Sequence, residues 1–180
     1  MNNFNYYAPT KVVFGKDTEK ETGRLVKEQG ASSVLVHFGG KSAIASGLID
    51  RVCQSLKEEG IAYETLGGVV PNPRLSKVRE GIALCREKKI DFILAVGGGS
   101  VIDCCKVISA QAKLTEDIWD MEMVKRNYPS DFIPMGAIVT AAGTGSEMNN
   151  GAVITNEAQK IKCGLMGAQA QFVFLDPSYT

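Results

Sequence analysis

Short apolar runs alternate along this chain with longer stretches in which apolar residues recur every three or four positions, and the alternation predicts strands and helices in turn. After a strand-like opening at Lys11 to Phe14, Val34 to Phe38 is apolar and rich in valine. The segment 43–59 then places Ile44, Leu48, Ile49, Val52 and Leu56 at helical spacing, and Ala62 to Leu66 reads as the next strand. Pro71-Asn72-Pro73 predicts a helix start, with Asn72 as N-cap and Pro73 in the first helical position, leading into Leu75, Val78, Ile82 and Leu84. Phe92 to Val96 is apolar throughout, as expected of a strand covered on both faces. An amphipathic segment with Val101, Ile102, Val107 and Ile108 follows it.

Strands alternating with helices point to an α/β fold with a parallel sheet wound on both sides, whose ligands bind at the carboxyl ends of the strands. Three glycine-bearing turns lie at such ends: Gly39-Gly40, Gly67-Gly68 and Gly97 to Gly99. Beyond Ala112 the pattern is less regular, and Met135 to Thr140, Ala152 to Thr155, Ile161 to Leu165 and Phe172 to Leu175 read as strands of an α+β extension. Without internal repeats or a linker, residues 1–180 are expected to form one domain.

The richest stretch is Gly97-Gly98-Gly99-Ser100-Val101-Ile102-Asp103, a strand end, a glycine turn and a helix start. Residues without Cβ let a ligand approach the backbone, and the first N–H groups of a helix carry the positive end of its dipole, so the turn suits phosphate. Ser100 and Asp103 also fit a capping box, which needs no ligand. A second segment, Thr140-Ala141-Ala142-Gly143-Thr144-Gly145-Ser146-Glu147, follows the apolar run 137–139. Its hydroxyls suit a ribose or phosphate, or a solvated loop. The dinucleotide fingerprint G-x-G-x-x-G fails in both candidate turns, at Lys41 and Ile44 and at Ile102. Gly40-Lys41-Ser42 is no P-loop either, because Leu35 stands where the first glycine belongs.

Composition narrows the classes. The chain has 180 residues, 44% hydrophobic and 22% charged, and its 20 basic and 20 acidic residues cancel, so no electrostatic footprint for nucleic acid exists. Five cysteines, an odd number without a C-x-x-C pair, fit free thiols in a reducing compartment. Met1 to Tyr7 has no basic or apolar leader pattern, and no apolar run reaches about 18 residues, so the expected location is the cytoplasm, away from membranes. His37 is the single histidine, which excludes a His-rich zinc or iron site built by this chain and suits a structural role. Cys104-Cys105 reads as packing.

The order of Pro71-Asn72-Pro73, Gly97 to Asp103, Asp117-Ile118-Trp119-Asp120, Thr144 to Asn149, Gly151-Ala152-Val153-Ile154-Thr155-Asn156 and Leu175-Asp176-Pro177 resembles the iron-containing alcohol dehydrogenases, in particular their NADPH-dependent butanol dehydrogenase branch. The resemblance spans nearly the whole chain. It implies a Rossmann-like, doubly wound, mainly parallel sheet of the dehydroquinate synthase-like kind that holds NAD(P). It also implies an all-helical domain, not represented here, whose aspartate and histidines bind iron or zinc. On this reading the chain is the cofactor half of an oxidoreductase that moves hydride between NADP(H) and a small alcohol or aldehyde such as butanol or butanal, itself inactive, with a homodimer as the expected assembly.

Carried over by motif, Gly97, Gly98, Gly99 and Ser100 would cradle the pyrophosphate, with Asp103 beside them toward the nicotinamide. Thr140, Thr144 and Asn149 would line the cofactor, Lys162 would reach its phosphate or ribose, and Asn72 would lie near the adenosine. No catalytic or metal-binding residue is expected. Coenzyme choice follows from charge: Phe38-Gly39-Gly40-Lys41-Ser42 supplies no acid for an adenosine ribose, while Gly39, Lys41 and Ser42 offer donors to a 2′-phosphate, which favours NADP(H) over NAD(H). A catalytically silent nucleotide-binding module and a glycerol dehydrogenase-like relative are the alternatives.

Overall fold

The computed structural model describes residue 3 and residues 7–179, so most of the Met1 to Tyr7 stretch read above lies outside the described residues. Six parallel strands form one sheet in the order β1-β8-β5-β4-β2-β3, where β1 is Lys11–Phe14, β2 Ser33–Phe38, β3 Ala62–Leu66, β4 Phe92–Gly97, β5 Met135–Val139 and β8 Phe172–Leu175. The remaining two, β6 (Gly151–Asn156) and β7 (Ile161–Met166), make an antiparallel hairpin. Thus Met135 to Val139 and Phe172 to Leu175, expected in an extension, are interior strands of the main sheet. They are apolar and short enough to be covered on both faces, a position that local pattern does not reveal.

Helices cover both faces. α1 (Thr22–Glu28) and α3 (Leu48–Glu58) bury Leu25, Val26, Val52 and Leu56 against Val34, Val36, Phe92, Leu94 and Val96. On the opposite face α4 (Leu75–Glu87) and α5 (Gly99–Gln111) bury Val78, Ile82, Ile102 and Ile108 against Leu35, Ile93 and Ala95. Alternate residues of β4 therefore serve two cores, which is why its sequence shows no polar face. The sheet is pinned by Phe172, whose ring stacks on Phe92 at 5.6 Å and fills the space a Cβ on Gly136 would occupy, 2.5 Å away.

Three local expectations are corrected. The helical stretch 43–59 divides into the single turn α2 (Ser42–Ala45) and α3, because Gly47 takes φ 69°, a left-handed conformation open to glycine. Asn72 is not an N-cap: the helix starts at Leu75 with Arg74 extended before it, since Thr155 N–H bonds Pro73 O at 2.8 Å and Arg74 bridges to Thr155 of the hairpin. Asn72 has φ 56° instead. The Ser100–Asp103 capping box does not form, as α5 begins two residues earlier, at Gly99 on an extended Gly98, and Asp103 is engaged elsewhere.

Candidate functional site

The strand order reverses between β2 and β4, the switch point at which open parallel sheets bind ligands. Phe38 pairs with Val96, so Gly39 and Gly97 stand side by side at the carboxyl end of the sheet. The three glycines of the turn have different surroundings. A Cβ on Gly97 would lie 2.5 Å from Val101 Cγ2, so that glycine serves strand–helix packing. A Cβ on Gly98 would meet Ala141 at 3.3 Å, and one on Gly99 would stand 3.4 Å from Thr144 Oγ1 on the wall of a cavity. The first bonds of α5 run from Val101 and Ile102 N–H to Gly98 O, which leaves the Gly99 and Ser100 N–H groups ahead of the helical ladder.

That cavity, of about 810 Å³, brings together seven of the expected site residues: Asn72, Gly99, Ser100, Asp103, Thr144, Asn149 and Lys162. One wall is the triglycine helix, another the second glycine segment, and the floor is the open face of the β6–β7 hairpin. Lys162 donates to Asn72 Oδ1 at 2.6 Å across one end. The remaining five lie outside the lining. Gly39 follows β2 and accepts from Gly68 N–H at 2.8 Å, and Ser42 is exposed at the start of α2. Gly97 ends β4, Gly98 precedes α5, and Thr140 N–H donates to Gly97 O at 3.1 Å, tying the two glycine segments together.

Beneath the lining runs a polar network centred on Lys106, which the sequence analysis did not single out. Its side chain has no exposed area, yet Nζ donates to Gly151 O at 2.7 Å and to Ser146 Oγ and Asn149 Oδ1 at 3.0 Å each. Ser146 Oγ donates in turn to Asp103 Oδ1, and Asp103 Oδ2 accepts Val153 N–H at 3.0 Å. Asp103 and Lys106, one turn apart on α5, thereby fasten the second glycine segment and β6 to the triglycine helix. Burial pulls the Lys106 ammonium down to about 8 against the upward pull of Asp103 and Glu147. Its signal in the sequence was a lone lysine among the apolar residues 104–108. Asn149 is occupied as well, accepting from Lys106 and from Gly151 N–H at 3.0 Å and donating to Gly145 O at 3.0 Å, so it shapes the loop.

Glu122, also not anticipated, borders the same cavity from a π-helical turn, Asp120–Val124. Its Oε2 accepts Met166 N–H at 2.7 Å, while Oε1 is buried without a partner. Burial pushes this carboxyl up to about 7, against the opposing Met166 bond.

His37 is wholly buried, in keeping with a structural role. Nδ1 lies 2.6 Å from Leu66 O, which requires the proton on Nδ1, and burial drives the imidazole down to about 4. The adjacent thiols of Cys104 and Cys105 are packed in the α4–α5 core, and burial pushes the first up to about 12. Neither belongs to the cavity. The iron or zinc implied by the resemblance finds no fitting imidazole set here. Among the described residues, the one cluster of three potential metal ligands is Asp17, Glu19 and Asp176, all carboxylates. A dinucleotide does fit, because the triglycine cradle, the leading N–H groups and the cavity meet at the switch point. No helix among the described residues is long and apolar enough to cross a membrane.

Comparison with known proteins agrees with this geometry. A family model described as iron-containing alcohol dehydrogenase matches residues 9–177. A probable NADH-dependent butanol dehydrogenase of Bacillus subtilis (strain 168) is 46% identical over 182 residues, covering 100% of this chain and 46% of the relative. An NADPH-dependent aldehyde reductase of Escherichia coli (strain K12) is 39% identical over 184 residues, again covering 100% and 46%. Among solved structures, an NADH-dependent butanol dehydrogenase A of Thermotoga maritima superposes with a TM-score of 0.94 at 39% identity, covering 99% of this chain and 45% of that one. The chain thus spans about half the length of the relatives it matches.

Proposed function

The chain belongs to the iron-containing alcohol dehydrogenase family, and on that premise we propose that it is the coenzyme-holding half of an NADP(H)-dependent oxidoreductase acting on a small primary alcohol or aldehyde such as butanol or butanal. One observation carries the reading: the glycine turn at 97–99 and, some forty residues on, the second glycine segment with the hairpin that follows it close around a single cavity at the switch point of the sheet.

In this role the Gly99 and Ser100 N–H groups and the end of the α5 dipole receive the pyrophosphate. The bare Gly99 Cα leaves room for it. Lys162, already directed at Asn72 across the cavity, adds a cation for a phosphate or ribose oxygen. Thr144 lines the opposite wall, and Asp103 and Lys106 hold that wall in place from below. The bound nicotinamide supplies the carbon that accepts or returns hydride. This chain's residues orient it and contribute no proton-transfer group that the geometry identifies.

The preference for NADP(H) rests on charge. No carboxylate follows β2 at its carboxyl end, where Gly39, Lys41 and Ser42 stand, and Lys41 and Ser42 are exposed for a 2′-phosphate. The relatives divide on this point, since their names include both NADH- and NADPH-dependent enzymes. Titration of the 180-residue chain with each coenzyme, followed by nicotinamide fluorescence, tests it. NADPH is expected to bind at least about tenfold more tightly than NADH, about 1.4 kcal/mol, with no turnover of butanal. Tighter binding of NADH would reverse the coenzyme assignment, and binding of neither would remove the cavity from the functional account.

A further inference from the structure

We propose that the buried carboxyl of Glu122 receives the carboxamide of the nicotinamide at the far end of the cavity, an assignment that rests on the coenzyme reading above. The hairpin and α5 together fix which end that is. Asp103 Oδ2 accepts Val153 N–H and Lys106 Nζ donates to Gly151 O, so α5 runs beside β6 from Val153 toward Gly151, with Gly99 and Ser100 leading. Across the hairpin Val153 pairs with Gly164 and Gly151 with Met166, while Thr155, on the side of the leading turn, pairs with Lys162. The helix N-terminus and Lys162 therefore share one end of the cavity, and Met166 with Glu122 holds the other. From Lys162 to Met166 the strand covers about 13 Å, room for a ribose and a nicotinamide ring beyond the phosphates.

Glu122 is 3% exposed, and its Oε1 has no hydrogen-bond partner, an arrangement that costs stability unless a ligand completes it. Oε2 already holds Met166 N–H. Donors on the adjoining elements are taken as well: the Cys163 thiol points to Met123 Sδ at 3.4 Å, and Trp119 Nε1 donates to Gln159 Oε1 at 3.0 Å. The two influences on the carboxyl are burial, which pushes it up to about 7, and the opposing Met166 bond. The path to it along the hairpin is open. Gly164, exposed and part of the lining, has nothing within 4 Å of the place a Cβ would take.

The chemistry of the two ends sorts the parts of the coenzyme. A carboxyl disfavours phosphate, which the ammonium of Lys162 and the helix N-terminus attract to the opposite end. Near neutral pH the Glu122 carboxyl occurs in both forms, donating an O–H when protonated and only accepting when ionised. A primary amide carries N–H donors and a carbonyl acceptor side by side, so it satisfies Oε1 in either state. Oε1 is shielded from solvent in this structure, and the Met166 side chain, which lines the cavity beside it, is unbranched and adaptable enough to turn aside. Held in this way, the carboxamide fixes the rotation of the ring about its bond to ribose, and with it the face that the ring presents for hydride transfer.

The test is calorimetric titration of the 180-residue chain with three ligands. They are NADP+, its 3-acetylpyridine analogue, in which a methyl group replaces the amide NH2, and 2′-phospho-ADP-ribose, which keeps both riboses and all the phosphates and lacks the ring. Glu122→Met is expected to weaken NADP+ binding about tenfold, to leave 2′-phospho-ADP-ribose within about twofold, and to abolish the wild type's preference for NADP+ over the analogue. Glu122→Gln, which keeps a donor and an acceptor, is expected to bind all three within about threefold of the wild type. Should Glu122→Met fail to fold, Glu122→Ala, which leaves space for water at Met166 N–H, is read by the same titrations. Equal losses for NADP+ and 2′-phospho-ADP-ribose, or NADP+ binding that does not change, overturn the assignment and leave the coenzyme reading standing. A wild type that binds none of the three removes both.

Discussion

Acidification should destabilise the fold through His37, and the size of the effect follows from its burial. The imidazole has no exposed area and titrates near 4 in the folded chain against an ordinary value of 6.5. Its folded value is depressed, so its contribution is complete above pH 6.5 and is lost as pH falls toward 4, where the unfolded chain binds the proton and the folded chain resists it. The gap corresponds to about 3 kcal/mol in full, and to about 2 kcal/mol by pH 5. Glu122 acts in the opposite sense. Its carboxyl is raised to about 7, so it favours the fold below about pH 4.5 and costs stability as pH rises through 7. Wild-type stability alone therefore mixes two opposed terms, and the clean measurement is a difference. Urea unfolding of wild type and His37→Phe, from pH 7.5 to 5, keeps Glu122 common to both. At pH 7.5 the variant should be less stable by about 1–2 kcal/mol, because Leu66 O loses its buried donor. By pH 5 the wild type should have lost about 2 kcal/mol relative to the variant. Parallel stability curves across that range would refute the reasoning.

The glycines of the turn should separate by substitution. Gly97→Ala, meeting Val101 at 2.5 Å, should cost about 1–3 kcal/mol in urea unfolding. Gly99→Ala, with ordinary contacts, should leave stability nearly unchanged and weaken NADPH binding about tenfold or more. Lys106→Met keeps the aliphatic stem and strips three acceptors of their donor, so nucleotide affinity should fall about tenfold or more in fluorescence titration, with Lys106→Arg unable to restore it in a fully enclosed site. Glu122→Gln removes the carboxyl that burial raises. Its stability relative to wild type should be greatest near pH 8.5 and should decline by about 2 kcal/mol by pH 5, as the wild-type carboxyl gains its proton.

Much of the site was legible in the chain because turn chemistry is local. A glycine run after an apolar strand and before a helix has few other uses, and the hydroxyl-rich segment after β5 repeats the arrangement. The misplaced features share another cause. Asn72 looked like a cap because it precedes Pro73, but a bridge from Arg74 to Thr155, contributed by a hairpin some eighty residues on, keeps that segment extended. Ser100 and Asp103 had the spacing of a capping box, yet Asp103 is drawn to Ser146 and Val153. Lys106 passed as an ordinary helical lysine because its three acceptors lie beyond residue 145.

By itself the sequence determined the parallel α/β class, the strand ends that carry glycine and the balanced charge, since periodicity, backbone freedom and net charge are properties of neighbouring residues or of their sum. Only the tertiary structure decided which strands are interior, that Gly97 serves packing while Gly99 lines a cavity, and that Glu19, Lys106 and Glu122 are buried. A buried charge is defined by what surrounds it in space, and those surroundings come from segments that the chain brings together only on folding.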